Sequence, residues 1–97
     1  MTEAKDREES SRFRLGGRTP DGDLVVFDGD KQIDIMNHHK IGEDGVPDLT
    51  LFANSLRHWR YPHHEEPLTQ NIKEEILRQV SCLLRARAEN VRVKVEW

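Results

Sequence analysis

The chain has 97 residues, with 34% charged, 35% apolar and a formal net charge of -3 from 15 Lys plus Arg against 18 Asp plus Glu. Even with its 6 Gly added, the apolar share is below the ~45–50% of an average soluble domain, so one small domain with a thin core is expected. No apolar run approaches the ~20 residues of a membrane span, and the single cysteine, Cys82, excludes a disulfide scaffold.

Met1 to Glu9 is charged and no apolar core follows it, so no secretory signal is expected and a soluble, cytoplasmic setting is. Residues 1–11 read as a disordered charged tail, because only Ala4 could be buried to offset the cost of ordering. Residues 12–97 then form a single α+β domain.

Phe13 and Leu15 are two apart and face one side of a strand. Gly16-Gly17 relaxes the backbone, and Pro20-Asp21-Gly22 is turn chemistry. Leu24-Val25-Val26-Phe27 is an unbroken apolar run and predicts a strand covered on both faces. Asp28-Gly29-Asp30 supplies a hairpin turn, and Ile33 and Ile35 return with period two. The result is a three-stranded antiparallel meander.

Asn37 to Asp48 reads as a loop of about a dozen residues, long enough to suggest function. Leu49, Leu51 and Phe52 form a fourth short strand, and Asn54 to Pro62 a strand end or a helical turn. Pro67 and Thr69 announce a helix, with Thr69 as the cap. Ile72, Ile76, Val80, Leu83 and Leu84 give it one apolar stripe, widened by Leu77. Glu74 and Glu75 early and Arg85 and Arg87 late suit its dipole, and Asn90 suits a left-handed cap. Val91, Val93, Val95 and Trp97 alternate with Arg92, Lys94 and Glu96 in a half-buried final strand. The expected architecture is β-β-β-β-α-β, an antiparallel sheet of about five strands with the helix on one face.

Charge is uneven along this order. Residues 19–48 hold 2 bases, Lys31 and Lys40, and 8 acids: Asp21, Asp23, Asp28, Asp30, Asp34, Glu43, Asp44 and Asp48. An acidic middle repels nucleic acid and attracts a basic partner.

Catalytic and metal patterns are weak. His38-His39 and His63-His64 are adjacent pairs, a poor geometry for shared ligation. His58 and His63 with Glu65 or Glu66 are the best remaining metal set, and a histidine-dependent enzyme or sensor is one alternative. The Asp-Gly-Asp pairs lack the closing glutamate of a calcium loop. Ser55 near His58 is the one local nucleophile–base pair and has no Gly-x-Ser-x-Gly elbow. Cys82, on the helix beside Leu83, reads as an inert buried thiol. Arg78, Arg85, Arg87, Arg92 and Lys94 could form a basic patch, but no RNA-binding aromatic motif or helix-turn-helix accompanies them. Neither an enzyme nor a cofactor is therefore expected.

A protein surface remains. Trp59, Arg60 and Tyr61 are consecutive and of the types enriched in interface hot spots, although Trp59 suits the core better. The segment Phe52-Ala53-Asn54-Ser55-Leu56-Arg57-His58-Trp59, then Pro62, Glu65 or Glu66, Leu68-Thr69 and the helix stripe, resembles small bacterial immunity proteins of polymorphic toxin systems, of the contact-dependent or type VI/Rhs type. The resemblance covers about residues 22–88, with the charged leader and the final strand outside it. It implies a cytoplasmic antidote that binds a cognate toxin domain and blocks it without chemistry. The eight acids of the middle, with Trp59, Arg60 and Tyr61, are the expected contact residues. No nucleic-acid or membrane partner is expected. A small adaptor subunit of a larger assembly is a further alternative.

Overall fold

The computed structural model describes residues 12–87 and 90–97. The expected tail at 1–11 lies outside the described residues, as do positions 88–89 next to the Asn90 cap. The elements in order are strands β1 (Arg14–Arg18), β2 (Leu24–Asp28), β3 (Lys31–Ile35), β4 (Asn37–Ile41) and β5 (Pro47–Phe52), a 3-10 turn at Ala53–Ser55, helix α1 (Gln70–Arg87) and strand β6 (Arg92–Glu96).

Among the described residues the class is α+β, with one long helix in the second half of the chain. The strands divide into two three-stranded sheets, ordered β1-β2-β3 and β4-β5-β6, instead of forming one antiparallel sheet of about five. The first is the expected meander. Leu24 pairs with Ile35 and Val26 with Ile33, while Gly29 makes the intervening turn at a φ of 63°. Between Leu15 and Arg18 the register of β1 slips, and Gly17 sits there at a φ of 99°. That conformation suits a residue without Cβ, so the glycine pair bulges the strand.

In the second sheet β4 runs antiparallel to β5, but β5 and β6 run parallel. A parallel pair needs a long crossover, and the segment carrying α1 supplies it. The expected loop at Asn37 to Asp48 is therefore corrected: its first five residues are β4, and only the turn between β4 and β5 remains irregular. Asn37-His38-His39-Lys40-Ile41 shows no apolar alternation because β4 is an edge strand with most of its side chains in water.

The core lies between the inner faces of both sheets and the helix. Leu24, Val26, Ile33 and Ile35 meet Leu49 and Leu51, and Ile76, Leu77 and Val80 close over them. Ala53, Leu56 and Trp59 fill the remaining space from the crossover segment. Thr69 caps α1 as expected: its Oγ1 accepts the Ile72 N–H at 3.2 Å. Cys82 corrects the sequence expectation, being exposed instead of buried. It lies two residues past the buried Val80, a rotation of ~200° that carries it to the opposite side of the helix.

Candidate functional site

The crossover segment folds back along β3 and joins two groups that the sequence keeps apart. The Arg60 N–H donates to the Gln32 carbonyl at 2.7 Å, which lays the segment against the strand edge. The Arg60 guanidinium donates through both Nε, at 2.8 Å, and Nη2 to Asp34 Oδ2. Gln32 Nε2 donates to the other Asp34 oxygen at 3.1 Å, so this carboxylate is held from two directions. Successive turns, His63 N–H to Arg60 O at 2.9 Å and Glu66 N–H to His63 O at 3.0 Å, keep the segment compact.

At the β2–β3 turn, Lys31 Nζ lies 3.8 Å from Asp28 Oδ2 and 3.5 Å from Glu66 Oε1. The same ammonium sits 4.9 Å from the Trp59 ring centroid, a cation–π contact. Arg12 Nη2 reaches Asp28 at 2.8 Å, and His63 Nε2 is 3.6 Å from Asp30. Asp28 and Asp30 thus gather at the hairpin turn with Lys31, His63 and Glu66, while Asp34 meets Arg60 on the other face of the sheet. Sequence reasoning gave Lys31, His63 and Glu66 no such role, because residues 31 and 66 meet only after the chain crosses back.

The Trp59-Arg60-Tyr61 triplet splits. Trp59 is only 1% exposed and belongs to the core. Tyr61 is 83% exposed and stacks on His64, with ring centroids 5.3 Å apart. Arg60 is exposed as well. A buried indole two positions before an exposed phenol fixes the display of that phenol.

The eight acids do not converge on one face. In the β2–β3 register Asp28 lies on the side of Val26 and Ile33, whereas Asp34 lies opposite Val25 on the other side. Asp21 and Asp23 precede β2 and Asp30 follows it, which separates them by the length of a five-residue strand, ~15 Å. Glu43, Asp44 and Asp48 belong to the second sheet and its β4–β5 turn.

Arg92 organises the last group. Its Nε donates to Asp48 Oδ1 at 2.6 Å, and Nη1 donates to Asp44 Oδ2 at 2.8 Å. Hydrogen bonding to Arg92 holds both carboxyls below the ordinary aspartate value, and the two carboxylates in turn raise the guanidinium. The Asp44 Oδ1 also accepts the Val46 N–H at 3.1 Å and shapes the turn. These two acids serve the fold of their turn.

The other chemical readings find different partners. Ser55 Oγ donates to the Phe52 carbonyl at 2.6 Å and accepts the Met36 N–H at 3.0 Å, which joins the 3-10 turn to the start of β4. His58 Nδ1 donates to the Trp59 carbonyl at 3.0 Å, so Ser55 and His58 form no relay. His38 pairs with Thr50 and His39 with Leu49, on opposite faces of β4. Among the described residues no three His, Cys, Asp or Glu side chains gather as a metal site. Of the basic set, Arg78 is held by Glu75, Arg85 by the Val93 carbonyl at 3.3 Å, and Arg92 by its two aspartates. Among the described residues no helix is long and apolar enough to cross a membrane.

No curated protein and no solved structure matches the chain. A family model described as immunity protein 74 matches residues 20–96. That span begins before β2 and reaches the end of β6, so the final strand, expected to lie outside the resemblance, is part of the matched body. With most of its length matched, the chain belongs to the immunity protein 74 family.

Proposed function

We propose that this protein binds a cognate bacterial toxin domain in the cytoplasm and neutralises it by occupying its active site, with no bond made or broken by the protein itself. Membership of the immunity protein 74 family carries this proposal. The surface proposed to meet the toxin is the β2–β3 hairpin with the segment that folds against it, presenting Asp30 at the turn and Tyr61 on the segment, with Asp28 and Asp34 adding charge from the two faces of the hairpin. Asp30 is largely exposed and offers its charge to solvent, and Tyr61 offers a rigid amphipathic anchor of the kind that dominates interfaces. Asp21, Asp23, Glu43, Asp44 and Asp48 add long-range negative potential from other parts of the surface. Acidic potential speeds encounter with a basic cleft, and Tyr61, covered on binding, then sets the slow off-rate.

The test uses the partner captured by pull-down with this protein and follows binding by interferometry at low salt. Replacing Asp28, Asp30 and Asp34 together by Lys is expected to lower the association rate by about tenfold or more. Circular dichroism confirms that the variant is folded. An unchanged association rate in a folded variant removes this acidic cluster from the binding surface.

A further inference from the structure

The outer edge of β6 carries a self-complementary pattern. Among the described residues β6 pairs only with β5, so it forms one edge of the β4-β5-β6 sheet. Its register places Val93 with Leu49 and Val95 with Leu51, on the face that carries the core. Yet Val95 is 39% exposed and Trp97 is 53% exposed. They line an open groove with Leu77, Arg78, Ser81 and Cys82 of α1. The Val93 carbonyl accepts a bond from Arg85 Nη2 at 3.3 Å, which a pairing strand shares or displaces.

We infer that β6 pairs antiparallel with β6 of a second copy, in a register centred on Val95. Pairing about that residue sets Val95 opposite Val95, Val93 opposite Trp97, and Lys94 opposite Glu96, the last two twice by symmetry. Residues directly opposite in an antiparallel pair share a face. The apolar residues therefore meet on the helix-bearing face, where each Trp97 approaches Val93 of the other copy and covers the groove. Two Lys–Glu pairs form on the other face. The neighbouring register, centred on Lys94, sets two ammonium groups against each other and leaves Trp97 without a partner within the strand, and its Arg92–Glu96 pairs compete with the bonds Arg92 already makes to Asp44 and Asp48. The β6 sequence Arg-Val-Lys-Val-Glu followed by Trp thus selects one alignment through both charge and apolar fit. The two sheets become one of six strands, and two exposed strand edges are removed. This inference is independent of the proposed toxin contact, which lies on the other sheet and the crossover segment.

Sedimentation equilibrium of the full chain from about 10 μM to about 1 mM reads the association. A monomer–dimer equilibrium is expected. Lys94→Glu alone, or Glu96→Lys alone, places like charges opposite each other and is expected to raise the dimer Kd by about tenfold. The double exchange Lys94→Glu with Glu96→Lys restores opposite charges and is expected to recover the wild-type value. Trp97→Ala is expected to weaken the dimer without lowering the melting temperature by more than a few degrees. Monomer at every concentration overturns the inference. So does a dimer whose Kd ignores both single charge reversals, or a double exchange that fails to rescue.

Discussion

Arg60 Nε donates to Asp34 Oδ2 at 2.8 Å, across 26 residues of sequence. This bond fastens the crossover segment to β3 at the residue that precedes the exposed Tyr61. It is an exposed ion pair on the arginine side, so its energetic weight is modest while its positional effect is large. Arg60→Ala is expected to cost no more than about 1 kcal/mol in urea unfolding. The double-mutant cycle with Asp34→Asn is expected to give a coupling of about 0.5–1 kcal/mol. Toxin binding is expected to suffer more than stability, since the segment then loses its fixed approach to the hairpin.

Trp59 and Tyr61 separate stability from binding. Trp59→Ala removes a fully buried indole and is expected to destabilise the protein by about 3–5 kcal/mol. A small domain holds only about 5–10 kcal/mol in total, so thermal melting is expected to show a marginal or unfolded variant. Tyr61→Ala is expected to change unfolding free energy by less than about 0.5 kcal/mol and to raise the toxin off-rate. Equal melting losses for the two variants would contradict this division.

The acid limb of stability reports on Arg92. Its hydrogen bonds hold Asp44 and Asp48 below their ordinary value of 3.8. Depressed carboxyls contribute stability that is complete above that unfolded value and is lost as pH falls through the folded values. Arg92→Gln is expected to return both carboxyls toward 3.8 in a carboxyl NMR titration. The stability gap between wild type and variant is expected to be widest above pH 5 and to close in acid.

The Gly29 turn offers a local check. Its φ of 63° suits glycine, and an added Cβ meets no atom within 4 Å. Gly29→Ala is therefore expected to cost about 1 kcal/mol through backbone strain alone, with no rearrangement visible in amide chemical shifts beyond the turn.

Much of the fold was legible because local patterns governed it. Ile33 and Ile35 alternate, Gly29 marks its hairpin, and Thr69 with the Ile76–Val80 stripe marks the helix. Elements whose form depends on a distant neighbour were not legible. β4 is polar on both faces, so only its pairing with Leu49 and Leu51 on β5 makes it a strand. The parallel direction of β6 follows from the crossover, not from the Val-x-Val pattern, which is the same in either direction. At the candidate site the residue types were visible but the grouping was not. Asp34 and Arg60 each stood out alone, yet nothing local joins them, and the run of eight acids concealed that Asp28 and Asp34 point to opposite sides of one sheet. Cys82 shows the same limit: an apolar neighbour in sequence says little about which side of a helix a residue faces.

The most direct test of the account is protection in living cells. A toxin domain identified by its co-purification with this protein is expressed in a bacterial host with and without this protein, and surviving cells are counted. The account predicts that the toxin alone kills, that co-expression restores growth, and that the two proteins purify together as a stable complex. Killing undiminished by an abundant, folded protein would contradict it.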